Sequence, residues 1–299
     1  MAEPKDVKER LLACLKELHL PAMRAGYEEL ARQAQQEGLS YEQYLLHLVE
    51  RECQERRHKR VERWLHDSRL PLEKSWPALD LKRLPAKVVQ QARALLEGSF
   101  VERHENVLVF GQPGSGKTHL LSAIGQELVR AGRRVLFVKC GLLVQQLLLA
   151  KRDLKLSRTL KQLSAYPALI VDDLGYVQQS REEMEVLFTL LAERYERGSV
   201  LLTSNLPFSG WEAIFKDPMT TAAAIDRLVH HSVILELNVP SYRAEQARKA
   251  KQGRAVAGER TSGGEEAKPV GGDAAGGGGG AAAAPPAAAA PPPPPKREK

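Results

Sequence analysis

The stretch that most limits what this chain can fold into is VLVFGQPGSGKTHLLSAIG, residues 107–125: an apolar run, a glycine turn and an amphipathic run in direct succession. Gly111, Gly114, Gly116, Lys117 and Thr118 complete the pattern G-x-x-x-x-G-K-[ST], in the strand-before, helix-after setting that a phosphate-binding loop needs. Glycines let backbone N–H groups close on phosphate oxygens, and the helix start adds its positive end. The cradle is assigned to Gly111, Gln112, Pro113, Gly114, Ser115, Gly116, Lys117, Thr118 and His119. Lys117 is placed to reach the β and γ phosphates, and the Thr118 hydroxyl to ligate Mg2+.

Around this loop the chain alternates. A helix over 87–97 precedes the strand 107–110, and a helix over 117–131 follows the glycine turn. RRVLFVKC reads as a second strand followed by helical residues 141–163, and ALIVDD as a third followed by a helix over 181–197. SVLLTSN is the fourth strand, AAAIDRLVHH a helix and SVILEL the fifth strand. Short apolar strands separated by helices imply a parallel sheet covered on both faces, a three-layer α/β unit over residues 87–250.

Upstream, residues 1–70 read as a small helical domain. Leu11, Leu12, Leu15 and Leu18 recur at helical spacing before Pro21, and a second run carries Tyr27, Leu30 and Ala34 to Gly38. Ser40 is the expected N-cap of a third helix, with Tyr44, Leu45, Leu48, Val49 and Cys53 on one face. SRLPLEKSWPALDLKRLP then supplies Pro71, Pro77 and Pro85, which suit an extended linker over 71–86. From 251 to 299 the chain becomes a Gly/Ala/Pro-rich tail with almost nothing to bury, and disorder is expected there.

Composition narrows the setting. Cys14, Cys53 and Cys140 lie far apart without a CxxC pair, so neither a disulfide framework nor a zinc site of that kind is indicated. The charged N-terminal segment lacks the apolar core of a signal peptide, and no run approaches the roughly 20 apolar residues of a membrane span, so a cytoplasmic protein without a membrane partner is expected. A net charge of +7 permits an anionic partner.

Further chemistry is expected at the strand ends. Asp172 and Asp173 close the strand LIVDD, where a P-loop enzyme keeps the acid on the magnesium side; Asp172 suits the metal and Asp173 the attacking water, as general base. Asn205, just past LLTS, is a polar group at a strand tip that could hold that water, or a plain turn asparagine. Arg227 suits a finger inserted into a neighbouring subunit's site, with a surface ion pair to Asp226 as the bland alternative. His230 and His231 have no second ligand set nearby in sequence and read as packing or polar residues.

GKTHL, LIVDDLGY, ERYERGSVLLTSNLPFSGW, AIDRLVHHSVILEL and the later SYR, together with LKELHLPAMRAGYEELA and LSYEQYLLHLVERECQERR, resemble the IstB helper ATPases of bacterial insertion sequences, which are AAA+ proteins. The likeness spans about residues 10–245. It implies an AAA+ P-loop NTPase with AAA+ sheet order and ATP as its nucleotide. It further implies Asn205 as sensor, Arg227 as arginine finger, and Arg243 of SYR as a second sensor on the γ-phosphate. Self-association on double-stranded DNA and stimulation of a DDE-type, IstA-like transposase are implied as well. This sequence departs from the pattern in having aspartate at 173, where glutamate is more usual, and in the tail.

Two basic clusters are candidates for DNA. Lys151, Lys155 and Arg158 fall at i, i+4 and i+7 of the helix expected over 141–163. Arg56, Lys59, Arg60 and Arg63 lie close to one face in RECQERRHKRVER, which holds six Arg or Lys against three Glu. Such a stripe tracks phosphates without reading sequence, although a solvated helix face is the commoner meaning of a charge run. The alternative function is a DnaC-type replicative helicase loader. A metabolic P-loop kinase is disfavoured because no acceptor-site motif accompanies the loop.

Overall fold

The computed structural model describes residues 4–175, 180–211, 218–245 and 248. Two units divide the chain, Met1–Ala250 and Lys251–Lys299, and the second, which carries the Gly/Ala/Pro tail, lies outside the described residues. Among the described residues no helix is long and apolar enough to cross a membrane.

Five strands form one sheet: β1 (Asn106–Gly111), β2 (Val135–Lys139), β3 (Ala168–Leu174), β4 (Ser199–Ser204) and β5 (Ser232–Leu237), in the order β2-β3-β4-β1-β5. All neighbouring pairs are parallel. In the three inner strands, β3, β4 and β1, the continuous apolar runs are explained by burial on both faces, whereas the edge strand β5 is only partly buried. Leu108, Phe110, Leu169, Val171 and Leu202 point into one core, and Val107, Val109, Ile170 and Leu201 into the other. The first core is closed by α7 (Cys140–Arg152), α8 (Leu156–Ser164), α9 (Arg181–Arg194) and α10 (Pro218–Val229). The second is closed by α4 (Ala86–Leu96), α5 (Ser99–Glu102) and α6 (Lys117–Arg130).

The single helix expected over 141–163 is two. α7 ends in a Schellman motif, with Leu154 N–H donating to the Lys151 carbonyl at 3.1 Å and Lys155 N–H to the Ala150 carbonyl at 2.7 Å. Leu154 occupies the left-handed position, φ 56°, that glycine usually fills. The premise that Lys151, Lys155 and Arg158 share one helical stripe is therefore corrected. Lys151 closes α7 and pairs with Glu185 at 2.8 Å; Lys155 sits in the turn and pairs with Asp153 at 3.3 Å; Arg158 is on α8, exposed.

The helical region comprises α1 (Pro4–Glu17), α2 (Pro21–Glu37) and α3 (Tyr41–Asp67), the last opened by a capping box between Ser40 and Gln43. Its own core is small, built on Leu15, Met23 and Leu48. The expected apolar face of α3 is also corrected: Leu45, Val49 and Cys53 are exposed, and Glu52 is buried beside Leu48. The reason lies on α2, whose N-cap, Leu20, offers no side-chain acceptor. Glu52 Oε2 instead accepts from Ala22 N–H at 2.8 Å and Met23 N–H at 3.1 Å, while Oε1 accepts from Arg56 Nε at 2.8 Å. Arg56 also donates to the His19 carbonyl, so this candidate DNA contact is engaged in holding the helices together.

Burial raises the Glu52 carboxyl pKa, but hydrogen bonds from Arg56, Met23 and Ala22 outweigh it and hold the group below its ordinary value. Glu52→Ala strands two helix N–H groups and a guanidinium, and is expected to cost about 1–3 kcal/mol of stability in α1–α3, read by hydrogen exchange or denaturant titration. Because the folded pKa is depressed, this contribution is complete above the unfolded value of about 4.3 and is lost as pH falls through the folded value. Glu52→Gln should flatten that acid loss.

The segment over 71–85 is irregular, a run of turns with one 3-10 turn, Leu81–Arg83, before α4 begins at Ala86, and it is strapped to the sheet domain. Gln126 of α6 donates to the carbonyls of Pro71, Leu72 and Lys74 at 3.1–3.3 Å. Leu70 and Leu84 are buried in the α6-side core, and Val61, Trp64 and Leu65 from the last turns of α3 pack against it. The middle of α3, residues 53–60, is left almost wholly exposed between the two cores.

Candidate nucleotide-binding site

The glycine turn begins where β1 ends and delivers the chain to the first turn of α6, so the free N–H groups of a 14-residue helix face the loop. Gly111 is required by close approach, since a Cβ there would lie 2.6 Å from the Leu237 carbonyl oxygen, and Gly114 by its left-handed φ of 81°. Gly116 is the N-cap of α6 at φ 100°. Lys117 Nζ, buried, donates to the carbonyls of Gly111 at 2.7 Å and Gln112 at 3.0 Å. Burial lowers its pKa, against the opposing fields of Asp173 and Asp172, with Arg243 adding to the lowering.

Asp172, buried at the tip of β3, accepts from Thr118 Oγ1 at 2.9 and 3.2 Å. It also accepts from Thr203 Oγ1 at 2.6 Å, and Thr203 in turn accepts from Asp173 N–H at 2.8 Å. Thr203 therefore fixes both acids through one hydroxyl. The sequence marked it only as part of an apolar strand, and its role depends on β4 lying beside β3. Two hard oxygen donors at this separation, a carboxylate and a hydroxyl, suit Mg2+. Between Val171 and Leu174 the β3–β4 register shifts, and Asp173 sits in this irregularity at φ 63° with its side chain open to solvent. The surrounding protein, and then the Asp172 charge, raise the Asp173 pKa, while Lys117, Lys139 and Arg243 oppose the rise.

Other candidates divide by location. Asn205 follows β4 at the same strand ends, half-buried. Arg243 is exposed but close enough to act on both Lys117 and Asp173. Its segment is docked on the loop, with Tyr242 N–H donating to the Gly114 carbonyl at 2.9 Å. Arg83 from the strap holds that segment through Glu245 at 2.9 Å, the Pro240 carbonyl at 3.2 Å and the Tyr242 ring at 4.9 Å. The His119 ring nitrogen lies 3.0 Å from the Ser75 carbonyl, so its side chain is committed to the strap.

Arg227 is elsewhere. Its backbone carbonyl lies 3.4 Å from Asn106 Nδ2, at the start of β1, and its side chain helps to line a cavity with Asn106. The glycine loop is at the other end of that strand, about 17 Å away at the usual rise per residue. The guanidinium donates to the Ala223 carbonyl at 2.9 Å and lies 4.7 Å from the centre of the Phe188 ring. Among the described residues it forms no ion pair, Asp226 included.

A complete phosphate loop on β1, an acid on β3 and a strand inserted between them define a P-loop NTPase. The family model described as IstB-like ATP binding protein matches residues 13–250, and the chain belongs to that family. It is 42% identical to an insertion-sequence ATP-binding protein of Sinorhizobium fredii, over 82% of this chain and 83% of that protein. It is 40% identical to a protein of Pseudomonas aeruginosa named as the ATP-binding protein of insertion sequence IS21, over 81% of this chain and 90% of that one. Among solved structures, that of DnaI aligns with a TM-score of 0.48 and 24% identity, covering 56% of this chain and 94% of that one.

Proposed function

We propose that this protein is an Mg2+-dependent ATPase that assembles on double-stranded DNA and directs a DDE-type transposase in insertion-sequence transposition. The observation that carries the reading is the separation of Arg227 from its own phosphate loop by the length of β1. An arginine so placed, with no ion pair among the described residues, is far from the nucleotide of its own loop, and on this reading it serves that of a neighbouring copy. ATP then joins subunits. Thr118 and Asp172 would hold the metal, Lys117 and Arg243 the phosphates, and Asp173, oriented by Thr203 and raised in pKa, would take the proton of the attacking water with Asn205 beside it. Membership of the insertion-sequence family favours this reading over a DnaC-type helicase loader.

The DNA surface on this reading is the exposed middle of α3 together with the α7–α8 turn. Lys59 pairs with Glu55 at 3.0 Å and Arg60 lies 6.0 Å from the Trp64 ring, both on a solvent-facing stretch that also carries Arg63. Exposed ion pairs of this kind are weak and can be exchanged for phosphate. One subunit offers few contacts, whereas an ATP-joined row multiplies them and steepens the salt dependence. Duplex affinity over a salt series, with and without a non-hydrolysable ATP analogue, is expected to rise with the analogue. Replacing Lys151, Lys155 and Arg158 by Ala should weaken binding for every sequence and flatten the slope, with ATP affinity unchanged. Preference for single strands in the same assay would favour the helicase loader.

A further inference from the structure

We propose that Glu196, His230 and His231 form a binding site for a divalent transition metal of the zinc class, separate from the nucleotide site. The three come from the turn after α9 and the turn between α10 and β5, and each offers a ligand atom lying within 4.8 Å of the others. Sequence spacing hides the set, because Glu196 is more than thirty residues from the histidine pair; the fold supplies the second ligand source. Two imidazoles and a carboxylate are the donors of open zinc sites, and imidazole selects Zn2+, Cu2+, Ni2+ or Co2+ over Mg2+. Tetrahedral bonds of about 2.1 Å place donors roughly 3.4 Å apart. All three side chains are exposed, and a shift of an ångström or so would bring their ligand atoms to that spacing.

Two features prepare the cluster for an ion. The Tyr195 hydroxyl lies 3.0 Å from His230 Nδ1. With Nδ1–H donated to that oxygen, Nε2 keeps its lone pair for the metal and the ring is oriented, as supporting partners of metal-bound histidines do. Glu196, in turn, is held at φ 58° just past the end of α9, a left-handed position that favours glycine, so a carboxylate is kept there at a backbone cost. Asp226 adds negative charge one helical turn before His230, whose N–H donates to the Asp226 carbonyl at 2.9 Å. Nearby positive charge is largely engaged: Arg103 is bound by Glu105 through two hydrogen bonds, and Arg227 is folded onto Phe188. An ion here would pin the turn that follows Arg227 in the chain.

Titration of the nucleotide-free, full-length protein with Co2+, followed by competition with Zn2+, reads the site directly. One equivalent of Co2+ should give the visible absorption of a tetrahedral or five-coordinate ion, displaced by Zn2+. Glu196→Gln and the double variant His230→Ala/His231→Ala should each weaken binding at least about 10-fold, and Tyr195→Phe should also weaken it. Unchanged ATP affinity verifies that the variants are folded, since the glycine loop is at the other end of the sheet. Equal affinity in the wild type and the double variant, or absorption typical only of six-coordinate, water-bound Co2+, overturns the proposal and leaves the cluster as a hydrogen-bonded surface network.

Discussion

Lys117→Ala is expected to lower ATP affinity by about 100-fold or more, with the thermal melting point little changed. Each hydrogen bond between a charged group and its partner is worth about 1.5–3 kcal/mol, and the ammonium can give the phosphates two or three. No neighbour replaces it. Arg243 approaches the same region but from the exposed side, on a segment held by Arg83 and Tyr242 rather than on the loop itself. The Gly111 and Gln112 carbonyls that now accept from Lys117 border the site and can turn to water, so the structural cost is small. Filter binding of labelled ATP measures the effect. Near-normal affinity in the variant would remove the assignment of the loop.

Arg227→Ala should show the opposite division. Binding of ATP by the variant is expected to be normal, because Arg227 is about the length of β1 from its own loop, while hydrolysis by the assembled protein should fall on the order of 1,000-fold. An arginine that stabilises charge on a transferring phosphoryl group acts in the transition state and leaves ground-state binding alone. In the isolated chain the guanidinium rests on Phe188 and the Ala223 carbonyl, weak contacts that a neighbour's nucleotide can replace. Arg227→Lys should recover little, since a lysine cannot form the forked pair of bonds.

What could be read in the sequence was whatever short-range pattern determines. Parallel strands buried on both faces are unbroken apolar runs, so β1, β3 and β4 stood out, and the glycine loop fixed its own context. The break between α7 and α8 was hidden because Leu154, not glycine, takes the left-handed position. Glu52 looked like one more surface charge on α3, since capping a different helix is a property of packing and not of spacing. Thr203 was missed for the same reason: only the β3–β4 pairing brings it to Asp172. Three prolines suit an extended linker over 71–86, yet the segment holds the 3-10 turn Leu81–Arg83 and α4 begins at Ala86, and the carbonyls it offers to Gln126 and His119 carry no signature in its residues.

In the proposed assembly ATP is shared between copies of this chain, and mixing two variants, each expected to be inactive alone, measures that most directly. Lys117→Ala protein lacks a working loop but keeps Arg227; Arg227→Ala protein binds ATP but lacks the arginine. Combined over a range of ratios on duplex DNA, they should recover part of the wild-type hydrolysis rate. The rate should peak at intermediate mixtures, where an intact loop meets an intact Arg227 across an interface. Hydrolysis that stays at the sum of the two separate residual rates at every ratio would contradict the account, and would mean that Arg227 acts within its own chain or not at all.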